Sequence, residues 1–331
     1  LQAAHHPCGV IGTCGSRACG NPIPSLHTTP ESADLQRILA LMRNAGCQAV
    51  AMEVSSHALS LGRPWATRFA VTAFTNITHD HLDYHHTLEE YFEAKKLLFS
   101  EEYPAIRVIS TFGEGGRALE AACREAGDEV IAVGERPEDD IRLVSSQRVG
   151  GATQLTLQLS GRFAPVGQLV ITHGLLGSFN TENILVALGC VLALDVDAHQ
   201  AAAALAEASA PPGRMQQAMV KPDLGFAVYV DYAHTPDALE KVILSAREAA
   251  SGRVALVFGC EGDRDRLKRP EMAQAALLAD DVFLTNDNAH GERVTAVIEE
   301  VRAALPTDDA RIRTIPDRKA AIRAAVDHAE P

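Results

Sequence analysis

The sequence predicts an α/β protein made of two successive domains, each a mostly parallel sheet covered by helices. Three observations carry this. Short apolar runs that end in polar residues recur between helical segments along most of the chain. The Pro-Pro-Gly break in ASAPPGRM (208–215) places a boundary between residues 1–210 and 211–331. The 331 residues, 47% of them hydrophobic, suffice for two separate cores.

In chain order, an extended segment near 9–13 leads into a Gly/Pro-containing connection that lasts to about 31. Residues 32–46 (SADLQRILALMRNAG) read as a helix: Ser32 can cap it, Leu35, Ile38, Leu39 and Met42 share one face, and Gly46 stops it. QAVAMEVSS (48–56) and FAVTAFTN (69–76) are strand-like runs with polar tails. A helix over 87–100 follows, and AIRVIS and EVIAVG then alternate with a helix over 115–126. From 141 to 172 the pattern alternates with glycine punctuation, as antiparallel strands do. Helices over 180–193 and 197–208 close the first domain. In the second, strands near 226–231, 253–258, 281–285 and 311–315 alternate with helices near 236–250, 269–279, 292–304 and 317–328.

Composition narrows the function. A net charge of −13 with no basic run argues against an electrostatic nucleic-acid partner. No apolar stretch reaches the roughly 20 residues that span a bilayer, and no secretory signal pattern opens the chain. Seven scattered cysteines, with Cys14 and Cys19 as the nearest pair, suit a reducing cytosol and inert thiols.

Ligands of parallel sheets sit at the carboxyl ends of strands, which draws attention to EVSSH and TNITHDH. Glu53 ends a strand beside Ser55 and Ser56, where a carboxylate can hold Mg²⁺ or simply cap the next helix. The stretch 75–96 packs His79, His81, His85, His86, Asp80 and Asp83 into a few residues and then presents Lys95 and Lys96. A solvated helix face is the plain reading. Metal-assisted phosphate chemistry is the sharper one, with a lysine carbamate supplying an anionic oxygen. Asn180 and Asn183 stand one turn apart at a helix entrance, placed to cap it or to read a nucleobase edge. Asp231 ends a strand before a Thr-Pro helix start.

Taken in order, HTTPES, MEVSSHAL, FTNITHDHLDYHHTLEEYFEAKKLLF, LLGSFNTENILVAL, PGRM, VDYAHTPDALEKV and VFGCEGDRDRLKRP resemble the Mur ligases over nearly the whole chain. EVSSHAL, DHLDYH and DYAHTPDALEK point to the tripeptide-synthetase branch. The resemblance implies a central ATPase domain at 1–210 and a Rossmann-like amino-acid-binding domain at 211–331. It also implies a cytoplasmic, monomeric enzyme of peptidoglycan precursor synthesis that binds no nucleic acid or membrane. ATP would phosphorylate the terminal carboxylate of UDP-MurNAc-L-Ala-D-Glu, and a diamino acid would attack the acyl phosphate. Two Mg²⁺ ions would offset the charge of the approaching triphosphate.

Carried over by position, Glu53 would hold one ion, while His81 and carbamylated Lys95 would hold the other. Thr28, Thr29, Ser55 and Arg63 would bind the UDP-sugar dipeptide. Asn180 and Asn183 would contact adenine, with Arg214 and Asp231 completing the nucleotide site. Arg264, Asn288 and His290 would meet the incoming amino acid. Three departures stand out. His290 in DNAH replaces the arginine with which family members that add meso-diaminopimelate grip its distal carboxylate, so diaminopimelate and L-lysine both stay open. Glu261 and Leu267 replace glycines in GCEGDRDRLKRP, which predicts an altered backbone beside Arg264. His86 follows His85 where the family usually has glycine. The phosphate-binding G-T-x-G-K-T-T loop and the uridine-binding domain are expected before residue 1, and a G-K-G-H-E segment after residue 331. Both domains therefore read as truncated, and the sequence as an internal fragment inactive by itself. A degenerate binding protein that keeps the fold without the chemistry is the alternative.

Overall fold

The computed structural model describes residues 1–78, 80–218, 225–263 and 265–330. Its contacts divide the chain into two compact units. The first comprises Leu1–Ile77, Tyr84–Leu175 and Asn180–Ser209; the second comprises Thr78–Asp83, Leu176–Phe179 and Ala210–Pro331. Arg264 falls outside the described residues.

The first unit begins with β1 (Cys8–Ile11), β2 (Ser16–Ala18), β3 (Asn21–Ile23), α1 (Ser32–Asn44) and β4 (Ala49–Met52). β1 pairs with β4 in parallel and with β2 antiparallel, giving a four-stranded sheet in the order β3-β2-β1-β4. The Gly/Pro-containing connection expected after residue 13 thus contains a hairpin, turned at Cys19 and Gly20, both at positive φ. α1 lies on this sheet through Leu35, Ile38 and Met42, which with Ile11 and Ala18 form its core. Gly9 admits the Met42 side chain, because a Cβ there would sit 2.4 Å from its Sδ.

After α2 (Ser56–Ser60) the chain enters β5 (Val71–Phe74), α3 (Leu82–His85), α4 (Leu88–Lys96), β6 (Ile106–Ser110), α5 (Glu114–Glu125) and β7 (Val130–Gly134). β8 (Ile141–Val149), β9 (Ala152–Leu159) and β10 (Gln168–His173) complete a six-stranded sheet in the order β10-β9-β8-β7-β6-β5. β5 to β8 run parallel, and β8 to β10 antiparallel. The parallel strands divide between two sheets, and the antiparallel strands expected over 141–172 are β8, β9 and β10, which extend the larger one. β7 is a continuous apolar run and β6 is buried from Arg107 to Ser110 because both faces are covered, whereas β10 alternates exposed and buried residues. α6 (Phe179–Leu192) and α7 (Ala198–Ala206) share the main core with these strands, and Gly189 lets α6 approach Val108 and Val133. Arg107 of β6, 1% exposed, donates to Asp128 and to the carbonyls of Leu98, Ser100 and Tyr103, so it pins the segment that follows α4.

In the second unit, β11 (Gln216–Gln217) pairs antiparallel with β12 (Tyr229–Val230). α8 (Pro236–Ala249), β13 (Ala255–Phe258), α9 (Lys268–Ala276), β14 (Asp281–Leu284), α10 (Val294–Ala303), β15 (Ile312–Thr314) and α11 (Arg318–His328) then alternate. β13, β14 and β15 form a parallel sheet, as the βαβ rhythm predicts. The strand expected near 226–231 is the exception. Its paired part is two residues long and belongs to the small antiparallel ribbon. Thr235 caps α8 through the Ala238 amide, with Pro236 supplying a first-turn residue that needs no donor partner.

Candidate functional site

At the carboxyl end of β4 the chain gathers several of the residues picked out from sequence. The Glu53 amide donates to Ile11 O, prolonging the β1–β4 pairing by one residue. The Glu53 carboxylate accepts from the Thr13 hydroxyl at 2.7 Å and the Thr13 amide at 3.2 Å, both through Oε2. Oε1 borders the space a side chain at Gly12 would fill, since a Cβ there would lie 2.6 Å away. Thr28 reaches Thr13 hydroxyl to hydroxyl at 3.2 Å. Buried Thr29 donates to Glu53 O and accepts from the Ser55 amide, and Arg63 donates to Thr29 O. Ser55 caps α2 through the Ala58 amide. Glu53, Thr28, Thr29, Ser55 and Arg63 thus form one hydrogen-bonded cluster. Sequence reading missed two members: Thr13, which orients the carboxylate, and Glu31, which pairs with Arg63 at 2.6 Å. Thr13 lies between Gly12 and Gly15, and Glu31 within HTTPES, but neither context shows which side chain each would meet.

Ser56, the next residue, leads to the lysine pair. It shares a 2.9 Å hydrogen bond with His85, which is 5% exposed. The His85 ring stacks on Tyr91 with centroids 5.3 Å apart, and Lys95 Nζ lies 4.9 Å from the Tyr91 centroid. His57 and Tyr84 flank this column, their ring centroids 5.4 and 4.8 Å from that of His85. Lys96 is tied to Glu93 at 2.8 Å. The histidine-rich stretch therefore divides by role: His85 is an internal pillar, and His86 is an exposed turn residue at positive φ.

His81 belongs to the second unit, and Glu53 and Lys95 to the first. Its amide donates to Asp80 Oδ1 at 2.8 Å, and its ring faces Asp80 Oδ2 at 3.6 Å. His234 faces the same oxygen at 3.7 Å and is steadied by Tyr232 O through Nδ1. Burial alone would raise the Asp80 pKa, but the two imidazoles hold it at about 2. The same contact with Asp80 raises the pKa of His234. Asp231 accepts from the Met215 and Ala233 amides, and Arg214 lies over the Tyr232 ring. In the first unit, Asn183 donates to Asn180 across one turn of α6.

The third group lies beyond β13 and β14. Gly262 N donates to Asn288 O, Asp263 N to Glu292, and Gly291 N to Asp263. Asn288 and His290 are exposed on this double loop, His290 at φ 47°. Of the two residues that replace glycines, Glu261 is not among the positive-φ residues and Leu267 has φ −65°, while Asp263 has φ 50°. A further correction concerns thiols: Cys47, apart from Cys19 in sequence, lies with its sulfur 2.9 Å from that of Cys19, and both are partly exposed.

These donors suit a hard divalent cation. In the first unit Gly12 leaves one edge of the Glu53 carboxylate open and Lys95 stands on α4; in the second, His81 offers an imidazole. Among the described residues no three His, Cys, Asp or Glu side chains converge into a cage. Mg²⁺ requires none, since it commonly takes one or two carboxylates and keeps its waters.

Residues 1–191 match the Mur ligase middle domain, and residues 213–331 match the glutamate ligase domain of Mur ligases. The chain is 40% identical over 329 residues to a protein named UDP-N-acetylmuramoyl-L-alanyl-D-glutamate–2,6-diaminopimelate ligase in Gloeobacter violaceus, covering 99% of this chain and 65% of that one. A protein of the same name from Trichormus variabilis is 40% identical over 336 residues, covering 100% and 66%. A solved structure carrying that ligase name aligns with TM-score 0.65 and 30% identity, over 99% of this chain and 66% of that one. Folylpolyglutamate synthase of Mycobacterium tuberculosis, solved with ADP and AMPPCP, shares the fold at TM-score 0.74 and 19% identity. The chain spans about two thirds, 65–66%, of the length of these curated relatives. With both of its parts matched in order and close relatives along nearly all of its length, the chain belongs to the Mur ligase family.

Proposed function

We propose that the chain is the catalytic and amino-acid-binding part of an ATP-dependent ligase that joins a diamino acid to UDP-MurNAc-L-Ala-D-Glu. The observation that carries this reading is the cluster at the end of β4. Thr28 and Thr29 of HTTPES, Glu53 and Ser55 of MEVSSHAL, and Arg63 are apart in sequence, yet one hydrogen-bonded array unites them through Thr13 and Thr29. In this reading the γ-phosphoryl group of ATP passes to the terminal carboxylate. The amine then attacks the acyl phosphate, and phosphate leaves as the amide forms.

Each group has a defined task. Thr13 holds the Glu53 carboxylate with one edge facing the site. Arg63 and the Thr28–Thr29 pair bind the anionic sugar dipeptide, where charge-assisted bonds are strongest. Asn180 and Asn183 face adenine, and Arg214 and Asp231 complete the nucleotide site. Arg264, Asn288 and His290 receive the incoming amino acid. Glu53, His81 and carbamylated Lys95 would hold two Mg²⁺ ions, which neutralise phosphate charge during transfer. In this reading the enzyme works as a cytoplasmic monomer. No helix among the described residues is long and apolar enough to cross a membrane.

Diaminopimelate is the substrate named for the relatives. L-Lysine is the second candidate, because His290 stands where an arginine would grip the distal carboxylate. The complete gene product, assayed with ATP and the UDP-sugar dipeptide, should release phosphate only when diaminopimelate or lysine is added. Absence of amino-acid-dependent release across diaminopimelate, lysine and ornithine refutes the reading.

A further inference from the structure

Arg269 is 1% exposed, on the first turn of α9, yet it carries a full charge. Its guanidinium donates to both oxygens of Glu292, at 2.6 and 3.2 Å, to Glu300 of α10, and to the carbonyl of Glu261 at 3.2 Å. Glu292 in turn accepts the Asp263 amide at 2.8 Å, and Asp263 accepts the Gly291 amide at 2.6 Å. Gly262 N closes the circuit on Asn288 O at 2.8 Å. Two loops from different βα connections, 259–263 and 285–292, are therefore sewn together around one buried cation. A guanidinium so deeply desolvated is costly unless every neighbour is placed for it. Its two terminal nitrogens reach two carboxylates and a carbonyl in fixed directions and leave Nε buried without a hydrogen-bond partner, an arrangement that the single ammonium of lysine cannot reproduce.

We infer that Arg269 is a positioning residue that sets the spacing of these two loops and thereby the affinity for the incoming amino acid. The inference rests on the proposed function, which places that substrate against Asn288 and His290. Arg269 itself touches no reacting group; it acts through Glu292, Asp263 and the Glu261 carbonyl. Without it, Glu292 and Glu300 would keep the exposed Arg266, which reaches both from the surface, but would lose the buried cation that ties them to the Glu261 carbonyl, and the loops would loosen.

The test uses Arg269→Lys, Arg269→Met and the milder Glu292→Gln. Hydrogen exchange on the chain should accelerate about tenfold or more at Gly262, Asp263 and Gly291, while the amides of β14 stay protected. In the complete gene product, KM for the amino acid should rise about tenfold with KM for ATP within about twofold, Lys lying between Met and the native residue. Unchanged exchange at the three loop amides overturns the inference. So does a fall in kcat with both KM values intact, the signature of a purely structural role. A native enzyme with no turnover would instead defeat the proposed function, an outcome read separately from these variants.

Discussion

Lys95 Nζ lies 4.9 Å from the centre of the Tyr91 ring, one helical turn earlier, while its neighbour Lys96 is bound to Glu93 at 2.8 Å. Adjacent residues on a helix point about 100° apart, so the two lysines meet different surroundings. Lys95 joins the column of Tyr91, His85 and Ser56, the last of which lies three residues after Glu53 in the chain. Lys96 makes an i,i+3 pair with a carboxylate that is 65% exposed. In the complete gene product, Lys95→Ala should abolish phosphate release. Lys96→Ala should change it by no more than about twofold, because an exposed pair contributes roughly 0–1 kcal/mol. Equal losses in steady-state assays of the two variants would show that Lys95 is not the carbamate.

His85 is the member of the histidine-rich stretch on which folding depends. Replacing it with alanine removes the partner of buried Ser56 and the ring stacked on Tyr91. The expected loss is about 2–3 kcal/mol in urea unfolding, from an orphaned hydroxyl plus a cavity. His86→Ala, at an exposed turn, should cost less than about 0.5 kcal/mol. A stability ranking of the two variants in the reverse order would overturn the pillar role.

What could be read from sequence follows from how local each signal is. α1, α5, α6, β6 and β7 carry their periodicity within themselves, and all lie where it predicts. The β2–β3 hairpin escaped because its strands are three residues long, one contains Pro22, and their pairing is a tertiary fact. The division of the first unit into two sheets is equally non-local. At the candidate site, Glu53, Thr29 and Arg63 were named from sequence, but Thr13 and Glu31 were not, although Glu31 lies within HTTPES, since only the fold brings their side chains to their partners. Four histidines look alike in sequence; burial is what separates His85 from His86.

Asp281, at the start of β14 and 4% exposed, makes stability depend on acid. Burial would raise its pKa, but Arg253 at 2.9 Å and His328 at 3.2 Å outweigh this and hold it below the usual 3.8. A depressed carboxylate stabilises the fold above its unfolded pKa, and that contribution is lost as pH falls through the folded value. The loss should therefore appear below about pH 4. Asp281→Asn should lower stability at pH 7 by on the order of 1 kcal/mol, the Arg253 side being open to solvent. Thermal melts from pH 7 to pH 3 should show the variant and native curves converging at the acid end. A constant gap across that range would mean that the carboxylate's charge is not what stabilises the fold.

Gly262 and Glu261 are neighbours with opposite tolerances. At Gly262 a Cβ would stand 1.9 Å from Ala289 O and 2.6 Å from its carbonyl carbon, against backbone that no rotamer change can move. Gly262→Ala must therefore separate the two loops that Gly262 N and Asn288 O hold together. The expected cost is about 1–3 kcal/mol, with a weaker response to the amino acid in the complete gene product. Glu261, although it replaces a glycine of the family pattern, is not among the positive-φ residues, and its carbonyl is held by Arg269. Glu261→Gly keeps that carbonyl and relieves no strain. It should lower stability only by the added backbone freedom, roughly 0.5–1 kcal/mol, and leave KM for the amino acid unchanged. Denaturant midpoints for both variants, read beside the two KM values, would reverse this account if Glu261→Gly were the more damaging change, because the loop would then depend on the glutamate side chain and the contact at Gly262 would be incidental.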